Sequence, residues 1–235
     1  MTLEEMMFCR KSCRSYTNVS VDEKLRETIK AFSMKPLYPN IKVHWEIVSR
    51  NQVHTIFPWA PPQLIAIYSE ETEGWLENVG FLFQQMDLYL QSIGLGACWM
   101  GIGRMNAKTA PVVEGMRFVI LLAFGHPKGD QLRRDETEFK RKTMEQISDR
   151  ADPRLEPVRL APSAVNSQPW YFVHEEDVLH AYRICNEKRL SYMNQIDIGI
   201  ALAHLYVANR ETFRFFKAEE CPKLADMEYT GSVAL

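Results

Sequence analysis

The chain has 235 residues, 46% hydrophobic and 25% charged, with a formal net charge of −2 and a sequence pI near 6.3. That length can bury a sizeable core in one large domain or two small ones. The near-neutral balance gives no general pull towards nucleic acid or an anionic membrane. The longest apolar run, Phe118 to Phe124, is too short to span a bilayer. MTLEEMMFCRKS places acidic residues where a secretory signal needs basic ones, so a cytoplasmic protein is expected. Five cysteines without a framework agree with a reducing compartment. Cys9 and Cys13 could form a redox or metal pair, but no second ligand cluster accompanies them, and no metal site is expected.

In chain order, Ser20-Val-Asp-Glu23 predicts a capping box in which Glu23 reaches back to the Ser20 amide. Leu25, Ile29 and Phe32 follow at helical spacing until Pro36 and Pro39 end the segment. VHWEIVS (43–49) alternates as a strand does, and QLIAIYS (63–69) has the apolar, β-branched content of an inner strand. From Val79 the positions Leu82, Phe83, Met86, Leu90 and Ile93 mark an amphipathic helix closed by Gly94. FVILLAFG (118–125) is apolar on both faces, as a central strand would be. After the charged stretch GDQLRRDETEFKRK come a short helix, the corner APSAVNSQP, the strand WYFVH, the helix DIGIALAHLYVAN and a last strand in MEYTGSVAL.

These two sets follow one plan. Trp45-Glu-Ile-Val48 falls where Trp170-Tyr-Phe-Val173 falls, and Asn78-Val-Gly80 opens one long helix as Asp197-Ile-Gly199 opens the other. The expected architecture is α+β with an internal pseudo-two-fold repeat. Its halves are 1–147 and a shorter 148–235, forming one pseudo-dimeric unit.

The distinctive pieces are complementary and not duplicated. The first half carries RKSCRSY (10–16), where two guanidiniums and a hydroxyl suit a phosphate. It also carries GLGACWMGIG (94–103), whose four glycines let backbone amides approach a planar ligand edge. The second half has DRADPRLEP and NRETFRFF in those places. It alone has the full proline-serine-asparagine corner, for which the first half offers only KPLYPN. One complete site per chain is expected.

A-P-S-A-x-N-x-Q-P-W at 161–170, R-x-S-x-R-x-Y at 10–16, G-L-G-x-C-W-x-G at 94–101 and K-R-K-x-M-E at 140–145 together resemble the FMN-dependent nitroreductase superfamily. The likeness is particularly to a branch with two family-like halves fused in one chain; it covers almost the whole length and implies a nitroreductase-like α+β fold of central, mostly antiparallel sheets flanked by helices. In ordinary members the flavin lies at a homodimer interface, so the resemblance implies that the late corner plays the partner subunit's part. It implies that Arg10, Ser12 and Arg14 hold the FMN phosphate, with Lys11 near and Arg141 and Lys140 assisting. Pro162, Ser163, Ala164 and Asn166 would line the isoalloxazine and ribityl side. Trp99, Met100, Gly101 and Ile102 would cover the ring edge, with the Gly101 and Ile102 amides directed at N5 and O4.

The implied activity is NAD(P)H-dependent reduction of a nitroaromatic, quinone or similar acceptor by a ping-pong mechanism on the flavin. The chain would work as a monomer, with no nucleic-acid or membrane partner, and no side chain need act as nucleophile or base. No G-x-S-x-G, H-E-x-x-H, Walker loop or Rossmann glycine motif is present. His174 and His180, beside Glu175, Glu176 and Asp177, read as a polar loop after a strand. Two departures stand out. VHTIFPWAPP offers only His54 or Thr55 to the flavin pyrimidine, and the second half lacks the basic segment and glycine turn, so the symmetry-related site should be empty. A flavin sensor or store, a decayed paralogue with a structural role, and a specialised reductive enzyme stay open as alternatives.

Overall fold

The computed structural model describes residues 1–59, 61–185 and 188–235. They form two compact units, Met1–Trp75 with Gln85–Glu136, and Leu76–Gln84 with Thr137–Leu235. Along the chain the regular elements are helices α1 (Leu3–Met7) and α2 (Glu23–Lys30), strands β1 (Val43–Ser49), β2 (Val53–His54) and β3 (Gln63–Ser69), helix α3 (Trp75–Ser92), and strands β4 (Gly96–Met100), β5 (Arg104–Met105) and β6 (Arg117–Gly125). Then follow α4 (Glu156–Arg159), β7 (Trp170–Glu175), β8 (Val178–Ile184), α5 (Ser191–Ala208), β9 (Arg214–Phe216) and β10 (Met227–Ala234). Among the described residues no helix is long and apolar enough to cross a membrane.

The first unit is built on a four-stranded antiparallel sheet in the order β1-β3-β6-β4. Its two inner strands are the two most apolar runs of the sequence, and every residue of β3 is buried. Pairing on both edges removes all their backbone groups from water, so β-branched side chains on both faces are the stable filling. Leu64, Ala66, Tyr68, Met100, Leu121 and Ala123 form one face's core, with Phe57, Trp59 and Phe118 packed against it. A two-residue ribbon, β2 with β5, sets His54 opposite Arg104. The cap of α2 differs from expectation. Asp22, not Ser20, is the N-cap, accepting the Leu25 amide at 2.8 Å, because its carboxylate is two residues nearer the first turn.

The second unit repeats the same kind of sheet, antiparallel in the order β7-β8-β10-β9. Its long helix α5 is buried nearly all round. The first half of α3 belongs to this unit and crosses α5 at two glycines. A Cβ on Gly80 would collide with the Ile196 carbonyl, and one on Gly199 would collide with the Glu77 carbonyl. Only glycine permits backbones to meet this closely. Asn78-Val-Gly80 and Asp197-Ile-Gly199 therefore sit inside their helices, which begin earlier, at Trp75 and Ser191. The unit boundary near Glu136 falls before the expected division at 147/148, and Arg141 and Lys142 bond to the corner that follows them.

Candidate functional site

In the first unit, RKSCRSY leaves the C-terminal end of α1 and runs beside β4. Ser12 bridges Ala97 in parallel, and the Cys13 amide donates to the Ala97 carbonyl at 2.9 Å. Gly96 makes this possible, because a Cβ there would lie 2.5 Å from Cys13 Sγ. Arg10 is not a free phosphate ligand. Its guanidinium is 1% exposed and pairs with the equally buried Asp87 of α3, Nε to Oδ2 at 2.9 Å. Asp87 also accepts Gln91 Nε2 at 3.2 Å, and Gln91 Oε1 accepts the Lys11 amide at 3.2 Å. Arg133 adds its guanidinium to the Arg10 carbonyl and its amide to the Cys9 carbonyl. Arg10 therefore anchors the segment, while Lys11 and Arg14 are exposed and Ser12 is half-buried. Arg14 has no carboxylate partner among the described residues.

GLGACWMGIG is only partly a turn. Gly96–Met100 form β4, paired along β6 from Gly96↔Gly125 to Met100↔Leu121. Gly94 closes α3 at φ 86°, and Gly103 is needed because a Cβ would fall 2.6 Å from Leu121 Cδ1. Two of the four glycines, Gly96 and Gly103, thus lie in tight packing contacts. The Met100 side chain is wholly buried in the sheet core, which leaves only its main chain for a ligand. Trp99 is half-buried; Gly101 and Ile102 form the turn into β5, and Ile102 is 54% exposed. Arg104 braces this turn through the Gly103 carbonyl at 2.8 Å and the Gly101 carbonyl at 3.4 Å.

In the second unit the corner and the basic segment come together. Arg141 Nη1 donates to Asn166 Oδ1 at 2.6 Å, and its Nε and Nη2 reach the Leu160 carbonyl at 3.3 and 3.2 Å. Asn166 Nδ2 donates to the Lys140 carbonyl at 2.7 Å. Ser163 Oγ accepts the Gln168 amide at 2.8 Å, and Gln168 Oε1 accepts the Lys142 amide at 2.7 Å. Lys142 Nζ returns to the Gln168 carbonyl at 2.9 Å, and burial lowers its pKa. These bonds hold three non-glycine residues at positive φ: Val165 at 46°, Asn166 at 59° and Gln168 at 48°. Each such residue costs on the order of 1–3 kcal/mol and persists only where its surroundings over-determine it. Pro162 is buried, Ser163 and Ala164 are half-buried, and Val165 and Asn166 are exposed.

Sequence reasoning missed Asp87, Gln91 and Arg133 behind the first segment, and Asp197 behind the corner. The signal for Asp87 and Gln91 was available: two polar residues one turn apart in the second half of an otherwise largely apolar helix. The histidine-acid loop resolves into fixed pairs. His174 Nδ1 lies 2.6 Å from Asp149 and its Nε2 3.0 Å from Asp152, while His180 bonds Ser232 and Glu175, each at 2.8 Å. Among the described residues no group of three or more His, Cys, Asp or Glu could hold a metal. Burial raises the Cys9 and Cys13 thiols, and Cys9 Sγ points at the Glu5 carbonyl and methionine sulfurs, against a reactive pair. A cavity of about 330 Å³ lined by Glu175, Glu176, His180, Phe216 and Glu220 includes none of the predicted site residues.

Comparison with known proteins places these features in context. Residues 2–209 match the family model described as "Putative TM nitroreductase". A crystal structure of a putative nitroreductase from Thermotoga maritima is 23% identical at a TM-score of 0.71, covering 100% of this chain and 94% of that one. Weaker likenesses include an FMN-dependent nitroreductase from Clostridium difficile (16% identity, 60% of this chain, 98% of that one, TM-score 0.46). Another is a nitroreductase with bound FMN from Bacteroides fragilis (14%, 57% and 94%, TM-score 0.43). No curated protein matches the chain.

Proposed function

Because this chain belongs to the "Putative TM nitroreductase" family, we propose that it is an FMN-dependent oxidoreductase that uses NAD(P)H to reduce a nitroaromatic, quinone or similar small acceptor. The observation that carries the reading is a pre-organised cation. Arg141 is fixed by Asn166 across 25 residues of sequence, in a corner that holds three strained residues in place. A half-buried guanidinium held rigidly in such a corner is a pre-aimed positive charge that suits a phosphate-bearing planar ligand.

The donor set fits FMN. Ser12 and Arg14, with Lys11 near, and Arg141 would hold the phosphate, while Arg10 keeps its segment in place through Asp87. Pro162, Ser163, Ala164 and Asn166 would line the ring and ribityl side. Asn166 acts there chiefly by aiming Arg141, since both ends of its amide are engaged. Trp99 and the main chain of Met100, Gly101 and Ile102 would meet the ring edge, and Arg104 stiffens that turn. Bound FMN would supply hydride acceptance and release at N5. This chain's own residues then bind, orient and limit access, and none is required as a nucleophile.

The same proposal includes the internal repeat, with halves 1–147 and 148–235 and one flavin per chain acting as a monomer. Both sheets share one element order, strand-strand-helix-strand-strand, with the last two strands exchanged in space. Both long helices have 18 residues, and their glycine contacts are reciprocal, as in an isologous interface. Five residues past each glycine, Gln85 bonds Lys35 and His204 bonds Pro157, each side chain holding main chain that precedes it. Titration of the purified protein with FMN, followed by anaerobic NADH or NADPH, tests the reading. Tight binding and bleaching are expected, and a protein that ignores FMN overturns it.

A further inference from the structure

Asp197 lies in the middle of α5, 3% exposed, on a mostly apolar helix whose other buried polar side chains are Asn194 and His204. A carboxyl group in such a place is costly unless something requires it. Its partner is the Ala164 amide, which donates to Oδ1 and Oδ2, each at 3.1 Å. Ala164 opens the strained turn of the corner, so this bond fixes where Val165 and Asn166 must begin.

From this geometry we infer that Asp197 is the positioning residue of the Ser163–Asn166 corner and that its proton is linked to FMN binding. The linkage rests on the flavin reading above; the positioning does not. Burial raises the Asp197 carboxyl to about 8, against a smaller opposing pull from the Ala164 amide. The charged groups on the elements around it are engaged elsewhere. Arg141 is bonded to Asn166 and the Leu160 carbonyl, and Lys142 Nζ to the Gln168 carbonyl. His204, two turns further along α5, bonds Pro157 and Gln84. Glu77 of α3 is itself raised by burial, with Glu228 adding to the rise and its own backbone amide, Arg183 and Lys217 working against it. Among the described residues no cation therefore offsets the charge that appears when Asp197 ionises. A new buried anion behind the corner disfavours a ligand whose phosphate is already fully charged above pH 7.

The test measures FMN affinity from pH 7 to pH 9 in the full chain, alongside amide exchange of the segment 161–168. Wild type should lose affinity by about fivefold or more across that range, a typical coupling. Asp197→Asn keeps an acceptor for Ala164 and removes the proton, so it should bind FMN with a flat profile and retain protection of 161–168. Asp197→Leu should expose 161–168 to exchange while α5 stays protected, and should weaken FMN at every pH. An Asn variant with the wild-type slope, or a slope of opposite sign, overturns the linkage. Unchanged protection in the Leu variant overturns the positioning role. A wild type that binds no FMN at any pH sinks the flavin reading and the linkage with it, and the exchange data then decide positioning alone.

Discussion

Arg141 Nη1 lies 2.6 Å from Asn166 Oδ1, and the Nδ2 of that same amide donates to the Lys140 carbonyl at 2.7 Å. One short side chain thus fixes both the head of the arginine and the main chain that carries it. Asn166→Ala and Arg141→Ala should each weaken FMN about tenfold to hundredfold, the loss of roughly 1.5–3 kcal/mol expected for a hydrogen bond to a charged group. Because Asn166 acts through Arg141, the double variant should cost less than the sum of the singles. Isothermal titration of the four proteins measures this. Asn40→Ala, in the degenerate KPLYPN segment, should leave affinity unchanged.

Two arginines four residues apart should fail in different ways. Arg14→Ala should lower FMN affinity about tenfold to hundredfold with little change in melting temperature, as loss of an exposed phosphate contact does. Arg10→Ala removes the cation facing the buried Asp87 carboxylate, which should cost about 3–5 kcal/mol of stability. For a chain of this size that corresponds to a fall in Tm of roughly 6–20 °C. Calorimetry beside FMN titration separates the two.

The contrast shows what the sequence could and could not reveal. Arg10 and Arg14 look alike in RKSCRSY, and only the distant Asp87 tells the anchor from the exposed cation. The strands 43–49 and 63–69 are legible to the residue, the first from its period-two alternation and the second from its apolar β-branched run. VLHAYRI, now β8, carries a strand pattern as clear as its neighbours but went unassigned beside the motif-rich corner. β4 was hidden for another reason: glycines that permit close packing on Cys13 and Leu121 look identical to glycines that make a loop. The corner was recognised by its motif, yet its strain and its dependence on residues 140–142 are properties of long-range bonds that no local pattern encodes.

The helix crossing should tolerate no added methyl. Gly80→Ala and Gly199→Ala each drive a Cβ into a facing carbonyl oxygen, so each should destabilise by about 1–3 kcal/mol or more. Gly94→Ala meets nothing within 4 Å, and its cost should come only from its φ of 86°. Chemical denaturation of the three variants ranks these effects.

Acid stability should depend on Asp152. Burial pushes its carboxyl up, but the Arg154 side chain and amide and the His174 ring outweigh this and hold it at about 2, below its ordinary 3.8. A lowered carboxyl contributes stability that is complete above its unfolded value and is lost as pH falls through the folded one. Wild type should therefore lose stability between about pH 4 and pH 2, and Asp152→Asn should flatten that limb. Asp197 has the opposite sign. Raised to about 8, it makes the native state hold a proton that the unfolded chain releases near 4. Stability should fall as pH rises across that window, and Asp197→Asn should gain on wild type over the same range.

The central claim is that this chain binds and reduces FMN, and the visible absorption spectrum of the purified protein tests it most directly. After incubation with FMN and removal of excess, flavin bands near ~370 and ~450 nm should stay with the protein and bleach on anaerobic addition of NADH or NADPH. A protein that elutes colourless after that incubation would contradict the account at its base, and retained bands that neither nucleotide bleaches would contradict its enzymatic half.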